Sequence, residues 1–152
     1  MTEDVVAAAI KAYGADRTSL LPVLQQVAAK KKYLSEEDFV RIGRAFGISA
    51  AEAYSVASYY SLLGTKPCGK YVIRICRTIS CSLSGKESIL DKLKEILGIE
   101  VGETTKDLLF SLVETNCMGW CSDGPAMLIN DTVHTHLTPE KVVKIIERYR
   151  SR

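Results

Sequence analysis

The sequence predicts an α+β protein with its helices and strands segregated along the chain. Three observations lead there. Apolar residues recur at helical spacing through the first 63 residues. Past the Gly64-Thr65-Lys66-Pro67-Cys68-Gly69 stretch they alternate at strand spacing instead. The remaining residues then carry two close cysteine pairs, each placed at the end of a predicted strand. The expected organisation is a helical N-terminal segment over 1–63, a linker over 64–69 and a second domain over 70–152.

In the first segment, Val5, Val6, Ala9, Ile10 and Tyr13 define one helix, ended by Gly14. Thr18 is the expected N-cap of the next, with Pro22 near its first turn and an apolar face of Leu20, Leu21, Leu24, Val27 and Ala28. Lys30, Lys31 and Lys32 load cations at its C-terminal end, where the helix dipole favours them, and read as a solvated helix end. Ser35 with Asp38 approximates a capping box before a helix through Phe39, Ile42, Gly43 and Phe46, with Gly47 as its stop. Ser49 with Glu52 predicts a second capping box and a fourth helix through Tyr54, Val56, Ala57 and Tyr60. The aromatic residues of this segment are expected mainly in its core.

Beyond the linker, Tyr71, Ile73 and Ile75 alternate with Val72 and Arg74, predicting a strand that delivers Cys76 at its C-terminal end. Residues 84–97 read as a helix with Ile89, Leu90, Leu93, Ile96 and Leu97 on one face and Gly98 as its stop. Residues 101–108 read as a loop. Phe110, Leu112 and Val113 predict a strand leading to Cys117. Two short strands, 126–129 and 132–136, flank the turn dipeptide Asn130-Asp131. Thr138 caps a last helix that starts at Pro139 and buries Val142, Val143, Ile146 and Tyr149. The order strand–helix–strand–strand–strand–helix is a thioredoxin-like layout. No C-x-x-C occurs, so thiol–disulfide exchange of the thioredoxin kind is not expected.

Composition narrows the functional classes. The chain has 152 residues, 47% of them hydrophobic and 25% charged, as in an ordinary globular protein. A net charge of +2 is too small to argue for nucleic acid or an anionic membrane. No apolar run reaches the roughly 20 residues that cross a bilayer. The acidic start Met1-Thr2-Glu3-Asp4 lacks a secretory pattern, so five cysteines point to a reducing, cytoplasmic setting and to metal or redox roles.

Cys76 and Cys81 form a C-x4-C pair; Cys117 and Cys121, 35 residues further on, form a C-x3-C pair. Two close pairs of thiols, far apart in sequence, suit a four-thiolate metal site. A structural zinc takes pairs of two to four intervening residues. A [2Fe-2S] cluster also takes four thiolates and is wider than one ion. Spacing alone leaves iron–sulfur cluster, zinc and unliganded or bridged thiols open. Cys68, in the linker, is expected to be a free thiol. A mixed histidine–cysteine centre through His134 and His136 is not expected, since four paired cysteines already suffice.

Several stretches together make the chain recognisable. They are Leu20-Leu21-Pro22-Val23-Leu24, the helix Ala51-Glu52-Ala53-Tyr54-Ser55-Val56-Ala57-Ser58-Tyr59-Tyr60, the cysteine pairs, Gly102-Glu103-Thr104-Thr105, the run from Gly124-Pro125 to Asn130-Asp131, and Leu137-Thr138-Pro139-Glu140-Lys141-Val142. In these the chain resembles the thioredoxin-like [2Fe-2S] subunit of respiratory NADH:quinone oxidoreductase and its relatives in NAD-linked hydrogenases and formate dehydrogenases. The resemblance implies a helical segment on a thioredoxin-like cluster domain, with Cys76, Cys81, Cys117 and Cys121 as ligands of one [2Fe-2S] cluster. It implies a flavin- and NAD-binding partner subunit and further iron–sulfur subunits; membrane insertion is not expected, because no apolar run is long enough. The chain departs from the family pattern in the loop Arg77-Thr78-Ile79-Ser80 and at Trp120, where a small residue is common.

Such a cluster with four thiolates is a dianion that gains a further negative charge on reduction, so its surroundings must compensate. Ser82 or Ser84 opening a helix after Cys81, backbone N–H groups at Gly119 and Gly124, and Arg77 are the expected sources. Trp120 would exclude water. The chain has no G-x-G-x-x-G fingerprint and no candidate general base, so it is expected to be non-catalytic alone. The expectation is an electron-transfer component of a multi-subunit NAD(H)-linked oxidoreductase, leaning to a bacterial hydrogenase or related flavin-based enzyme. The rivals are a docking module holding zinc or a vestigial cluster, and a free-standing ferredoxin.

Overall fold

The computed structural model describes residues 4–151, which divide into two compact units between Pro67 and Cys68. The first is made of helices: α1 (Val5–Tyr13), α2 (Leu20–Lys31), α3 (Glu36–Phe46) and α4 (Ala50–Tyr59). α1 packs on α2 and α3, and α4 packs on α3 and α2. Their shared core is Val6, Ala9, Leu20, Val23, Leu24, Val27, Leu34, Phe39, Ile42, Ala53 and Ala57, with Ala28 at its edge.

The helix ends follow local chemistry. Asp4 caps α1 by accepting from Ala7 N–H, and Gly14 closes it. Ser35 and Asp38 form a reciprocal capping box on α3, which ends at Gly47 in the left-handed conformation. Three expectations need correction. Thr18 does not cap α2; it lies in a 3-10 turn over Arg17–Ser19, and the Ser19 hydroxyl donates back to the Tyr13 carbonyl. Ser49 accepts from Glu52 N–H, but no reciprocal bond forms, because the Glu52 carboxylate takes Arg17 at 2.7 Å instead. Lys31 is not merely a solvated end: its ammonium pairs with Asp38, a carboxylate only 1% exposed, at 2.7 Å.

The buried faces also differ in detail. Val23 is fully buried in α2 whereas Leu21 is only partly so. Small residues, Ala53 and Ala57, make the inner face of α4, and this lets α4 approach its neighbours closely. Tyr54 and Tyr59 therefore point outward, Tyr59 with 82% of its surface exposed, and the aromatic residues are not mainly core.

The second unit is a four-stranded sheet with helices. Its elements are β1 (Tyr71–Cys76), α5 (Ile79–Leu83), α6 (Lys86–Leu97), β2 (Phe110–Thr115), β3 (Met127–Ile129), β4 (Thr132–His134) and α7 (Pro139–Arg150). The strand order is β2-β1-β3-β4, with β1 parallel to β2 and antiparallel to β3, and β3 antiparallel to β4. α6 and α7 pack on each other and cover the face bearing Ile73, Ile75, Phe110, Leu112, Met127 and Ile129. Ile89, Leu93, Val142 and Ile146 complete that core without solvent exposure beyond 1%. Thr138 caps α7 and Pro139 starts it. Val143, expected inside, is only partly buried.

The helix expected over 84–97 is α6, and a second helix that the sequence did not suggest precedes it. A short α5 carries Cys81 itself, and α6 follows after Gly85, which sits at φ +95° and starts α6 with no side-chain cap. The turn between β3 and β4 is pinned by Asn130, at φ +52°, whose side chain accepts from Val72 N–H and donates to the Lys70 carbonyl. Gly69 is wedged against backbone: a Cβ there would lie 2.9 Å from Phe110 N. Only glycine leaves room for its N–H to reach the Ser111 hydroxyl at 2.7 Å. Among the described residues no helix is long and apolar enough to cross a membrane.

Candidate metal centre

The sheet topology brings the cysteines to one end. β1 and β2 are parallel and in register, Cys76 opposite Thr115, so both chains leave the sheet on the same side. β1 delivers Cys76 as its last residue and runs into α5, which carries Cys81. β2 runs into the loop of Cys117 and Cys121, and that loop returns as antiparallel β3, whose Met127 pairs with Ile75 next to Cys76. Arg77 N–H extends the ladder to the Thr115 carbonyl at 2.9 Å, while its guanidinium donates to the Asn116 side chain at 3.0 Å. Both exits are thereby tied together beside the thiols.

The four thiols Cys76, Cys81, Cys117 and Cys121 line one small recess, together with Met118, Trp120 and Ala126. Its wall is mostly sulfur and hydrocarbon. Cys68, His134 and His136 are not part of it. Cys68 lies near the Arg74 guanidinium. His136 pairs with Asp123 at 3.2 Å, and the His134 ring stands edge-on to Tyr149.

The pairs differ in exposure. Cys76 and Cys81 are each 2% exposed, whereas Cys117 and Cys121 face outward. The Cys117 and Cys121 sulfurs are 3.3 Å apart. Among the described residues, no group of three or more His, Cys, Asp and Glu side chains is arranged to hold a single metal ion. The thiols are grouped as two pairs, and a binuclear centre takes two thiolates on each metal. This donor set fits a [2Fe-2S] cluster.

Local hydrogen bonds set the thiol acidities. Burial opposes ionisation of Cys76. The Thr78 hydroxyl and N–H, the neighbouring Cys81 thiol and the Met118 N–H together outweigh it and hold Cys76 below the ordinary thiol value. The Thr78 hydroxyl is 3.0 Å from the Cys76 sulfur. Burial pushes Cys81 up, and proximity to Cys76 adds to this, against one N–H donated by Ala126. Cys121 is pushed up chiefly by its contact with Cys117. Two like charges in one small site disfavour each other, so a cation must arrive for all four to ionise.

Some expected compensating groups are present and others are not. Gly119, at φ +87°, donates its N–H to the Cys117 sulfur at 3.4 Å. Gly124 does not approach a sulfur; its missing Cβ makes room for Ser84, whose hydroxyl would lie 3.3 Å from it. Ser82 and Ser84 open no helix: Ser82 lies inside α5, and Ser84 follows its last residue, with its hydroxyl donating to the Ser80 carbonyl. The donors that sequence reasoning missed are Thr78, Met118 N–H, Ala126 N–H and the Ser80 hydroxyl, the last against Cys121. Only Thr78 had a readable signal, a hydroxyl two residues past a strand-ending cysteine.

Ile79 and Leu83 on α5, the helix of Cys81, and Trp120 between Cys117 and Cys121 are exposed apolar side chains. Trp120 lines the recess yet remains 42% exposed, and it shields the thiols only in part.

Comparison with known proteins gives one result at three levels. Residues 6–150 match the thioredoxin-like [2Fe-2S] ferredoxin family. The chain is 34% identical over 138 residues to a subunit of the NADH-quinone oxidoreductase of Salmonella typhimurium, covering 91% of this chain and 83% of that one. It is equally similar, over the same lengths, to the corresponding NADH-quinone oxidoreductase subunit of Escherichia coli strain K12. Its fold matches a chain of an NAD+-reducing [NiFe]-hydrogenase with a TM-score of 0.74 at 23% identity, over 87% of this chain. The matched part is 23% of that hydrogenase chain, so this chain corresponds to about a quarter of its length.

Proposed function

This chain is a member of the thioredoxin-like [2Fe-2S] ferredoxin family, and on that premise we propose that it is an electron-transfer component of a multi-subunit NAD(H)-linked oxidoreductase. The family's cofactor is a [2Fe-2S] cluster. Cys76, Cys81, Cys117 and Cys121 are its ligands in this reading. The observation that carries it is the convergence of these four thiols, from three separate segments, on one small sulfur-lined recess.

When bound, the cluster supplies one-electron transfer. The residues of this chain do the rest. The buried Cys76 and Cys81 anchor the inner side, and N–H groups of Met118, Gly119 and Ala126 with the hydroxyls of Thr78 and Ser80 offset the negative charge at the sulfurs. The exposed Cys117 and Cys121 keep one edge of the site open, where an electron can enter or leave. The partner on that route is a flavin- and NAD-binding subunit, with further iron–sulfur subunits beyond it, in a cytoplasmic complex of the hydrogenase or a related flavin-based type. The helical unit and the sheet unit are, in this reading, a docking segment and a cluster domain.

The test is an anaerobic iron and sulfide assay with EPR before and after dithionite. Two irons and two sulfides per chain, silent when oxidised and giving a spin-one-half signal when reduced, are expected. One zinc and no signal would remove the electron-transfer role.

A further inference from the structure

We propose that, when the chain is without its cluster, Cys117 and Cys121 close to a disulfide that blocks cluster loading until it is reduced. The bridge rests on the geometry of these two thiols; its effect on loading rests also on the ligand reading above. Three observations carry it.

The first is distance. The two sulfurs are 3.3 Å apart, already in contact, and a disulfide bond needs about 2.05 Å. The second is freedom to close the gap. Both residues belong to one short exposed loop, and Gly119 between them sits at φ +87° with nothing within 4 Å of the position a Cβ would take. The space on that side of the loop is open. The third is selectivity. Cys76 and Cys81 are each 2% exposed, so of the four recess thiols an oxidant the size of a small peptide reaches only the outer pair.

The oxidant is a low-molecular-weight disulfide such as glutathione disulfide. The Cys117 sulfur, as thiolate, attacks one of its sulfurs; a mixed disulfide forms and one glutathione thiolate leaves. The Cys121 sulfur then displaces the second glutathione from Cys117, forming the intramolecular bond. The two thiol protons end on the two released glutathiones. The chain gives up two electrons and two protons, and the glutathione disulfide gains them. A thiol reductant reverses both steps.

The consequence is mutual exclusion. A cluster uses both outer thiols as ligands and protects them; the bridge consumes two of four ligands and leaves a site that cannot be filled. Oxidising conditions would thus store the empty chain in a protected form instead of letting Cys117 advance to higher oxides.

The test uses the full-length chain, stripped of iron anaerobically, treated with glutathione disulfide and alkylated before and after unfolding. Peptide mapping should find Cys117 and Cys121 joined, with loss of two hydrogens, and Cys76 and Cys81 alkylated only after unfolding. In Cys117→Ser the product should instead be a stable glutathione adduct on Cys121, and Cys68→Ser should behave as the parent. A Cys76–Cys81 bridge, a bridge between the pairs, or persistent mixed disulfides at Cys117 or Cys121 in the parent chain would overturn the proposal. The bridged chain, offered ferrous iron without sulfide or thiol, should bind less than about a tenth of the iron that the reduced chain binds, and dithiothreitol treatment, followed by removal of the dithiothreitol, should restore binding. Equal uptake would overturn the gating. Failure of the ligand reading looks different: Cys117→Ser would then retain iron while the parent bridge still forms.

Discussion

The Lys86 ammonium donates to the Glu114 carboxylate at 2.8 Å and joins the first turn of α6 to the end of β2. Lys86 is buried, with only 6% of its side chain exposed, and Glu87 adds a second carboxylate at 3.0 Å. The two elements it joins lead to Cys81 on one side and Cys117 on the other. The pair therefore fixes the spacing of the segments that carry the two cysteine pairs.

Replacing Lys86 with alanine should leave Glu114 facing a gap and cost about 1–3 kcal/mol, less than for a fully buried pair because Glu114 is partly solvated. Urea unfolding of the cluster-free chain measures it. The double replacement Lys86→Met with Glu114→Leu should recover most of the loss, since an apolar pair leaves no buried charge behind. Equal stability of Lys86→Ala and the parent would show that the pair fixes nothing.

Cys117→Ser should abolish or strongly perturb the visible spectrum and lower the iron content, because a ligand sulfur is lost. Cys68→Ser should leave both unchanged, since Cys68 lies outside the recess. The pair of variants is read by iron analysis and absorption after anaerobic purification. An intact spectrum in the first, or iron loss in the second, would mean the ligand set is wrong.

The order of these elements was legible because helical and strand periodicities are strong and the turn residues are local. Gly98, Thr138 with Pro139, and the Ser35–Asp38 box mark their ends by chemistry that needs no distant partner. What was not legible depended on competition. Ser49 and Glu52 have the letters of a capping box, but Glu52 finds Arg17, 35 residues away, and takes it instead. α5 is only five residues long, too short for periodicity to reveal, and it changes the setting of Cys81 from loop to helix. In the site itself, the cysteines announced themselves, whereas Met118 and Ala126 act through backbone N–H groups that any residue type provides. The outward Tyr54 and Tyr59 were misjudged because Ala53 and Ala57 already fill the contact that aromatic rings would otherwise make.

Asp38 ties α3 to the end of α2. Burial alone would raise its pKa, but Lys31 and the Ser35 N–H and hydroxyl together hold the carboxyl below its ordinary value of 3.8. A depressed native pKa stabilises the fold fully above the unfolded value and loses that contribution as pH falls through the native one. Asp38→Ala should therefore lower stability by about 1–3 kcal/mol at neutral pH, through the lost cap and the unpaired Lys31. The difference from the parent should shrink as pH falls below 3.8. Paired urea unfolding curves at neutral pH and in acid measure it; a difference that stays constant with pH would contradict the assignment.

His134 on β4 gives a pH dependence closer to neutrality. Its Nε2 is buried and finds no hydrogen-bond partner in the structure, and its ring stands edge-on to Tyr149 of α7 at 6.1 Å. Burial holds its pKa below the ordinary 6.5, and the Arg148 guanidinium pushes in the same direction. The unfolded chain therefore binds this proton more readily than the folded one. The neutral ring favours the fold above pH 6.5, and stability falls as pH drops from there through the lower native value. His134→Phe keeps an aromatic ring against Tyr149 and removes both the titration and the orphaned nitrogen. It should match or slightly exceed the parent at pH 8 and show a flatter loss of stability on acidification below pH 6.5. Thermal or urea unfolding of the cluster-free chain across this range separates the two. Parallel profiles would mean that His134 is protonated as easily in the folded chain as in the unfolded one, and that its buried nitrogen is reached by water.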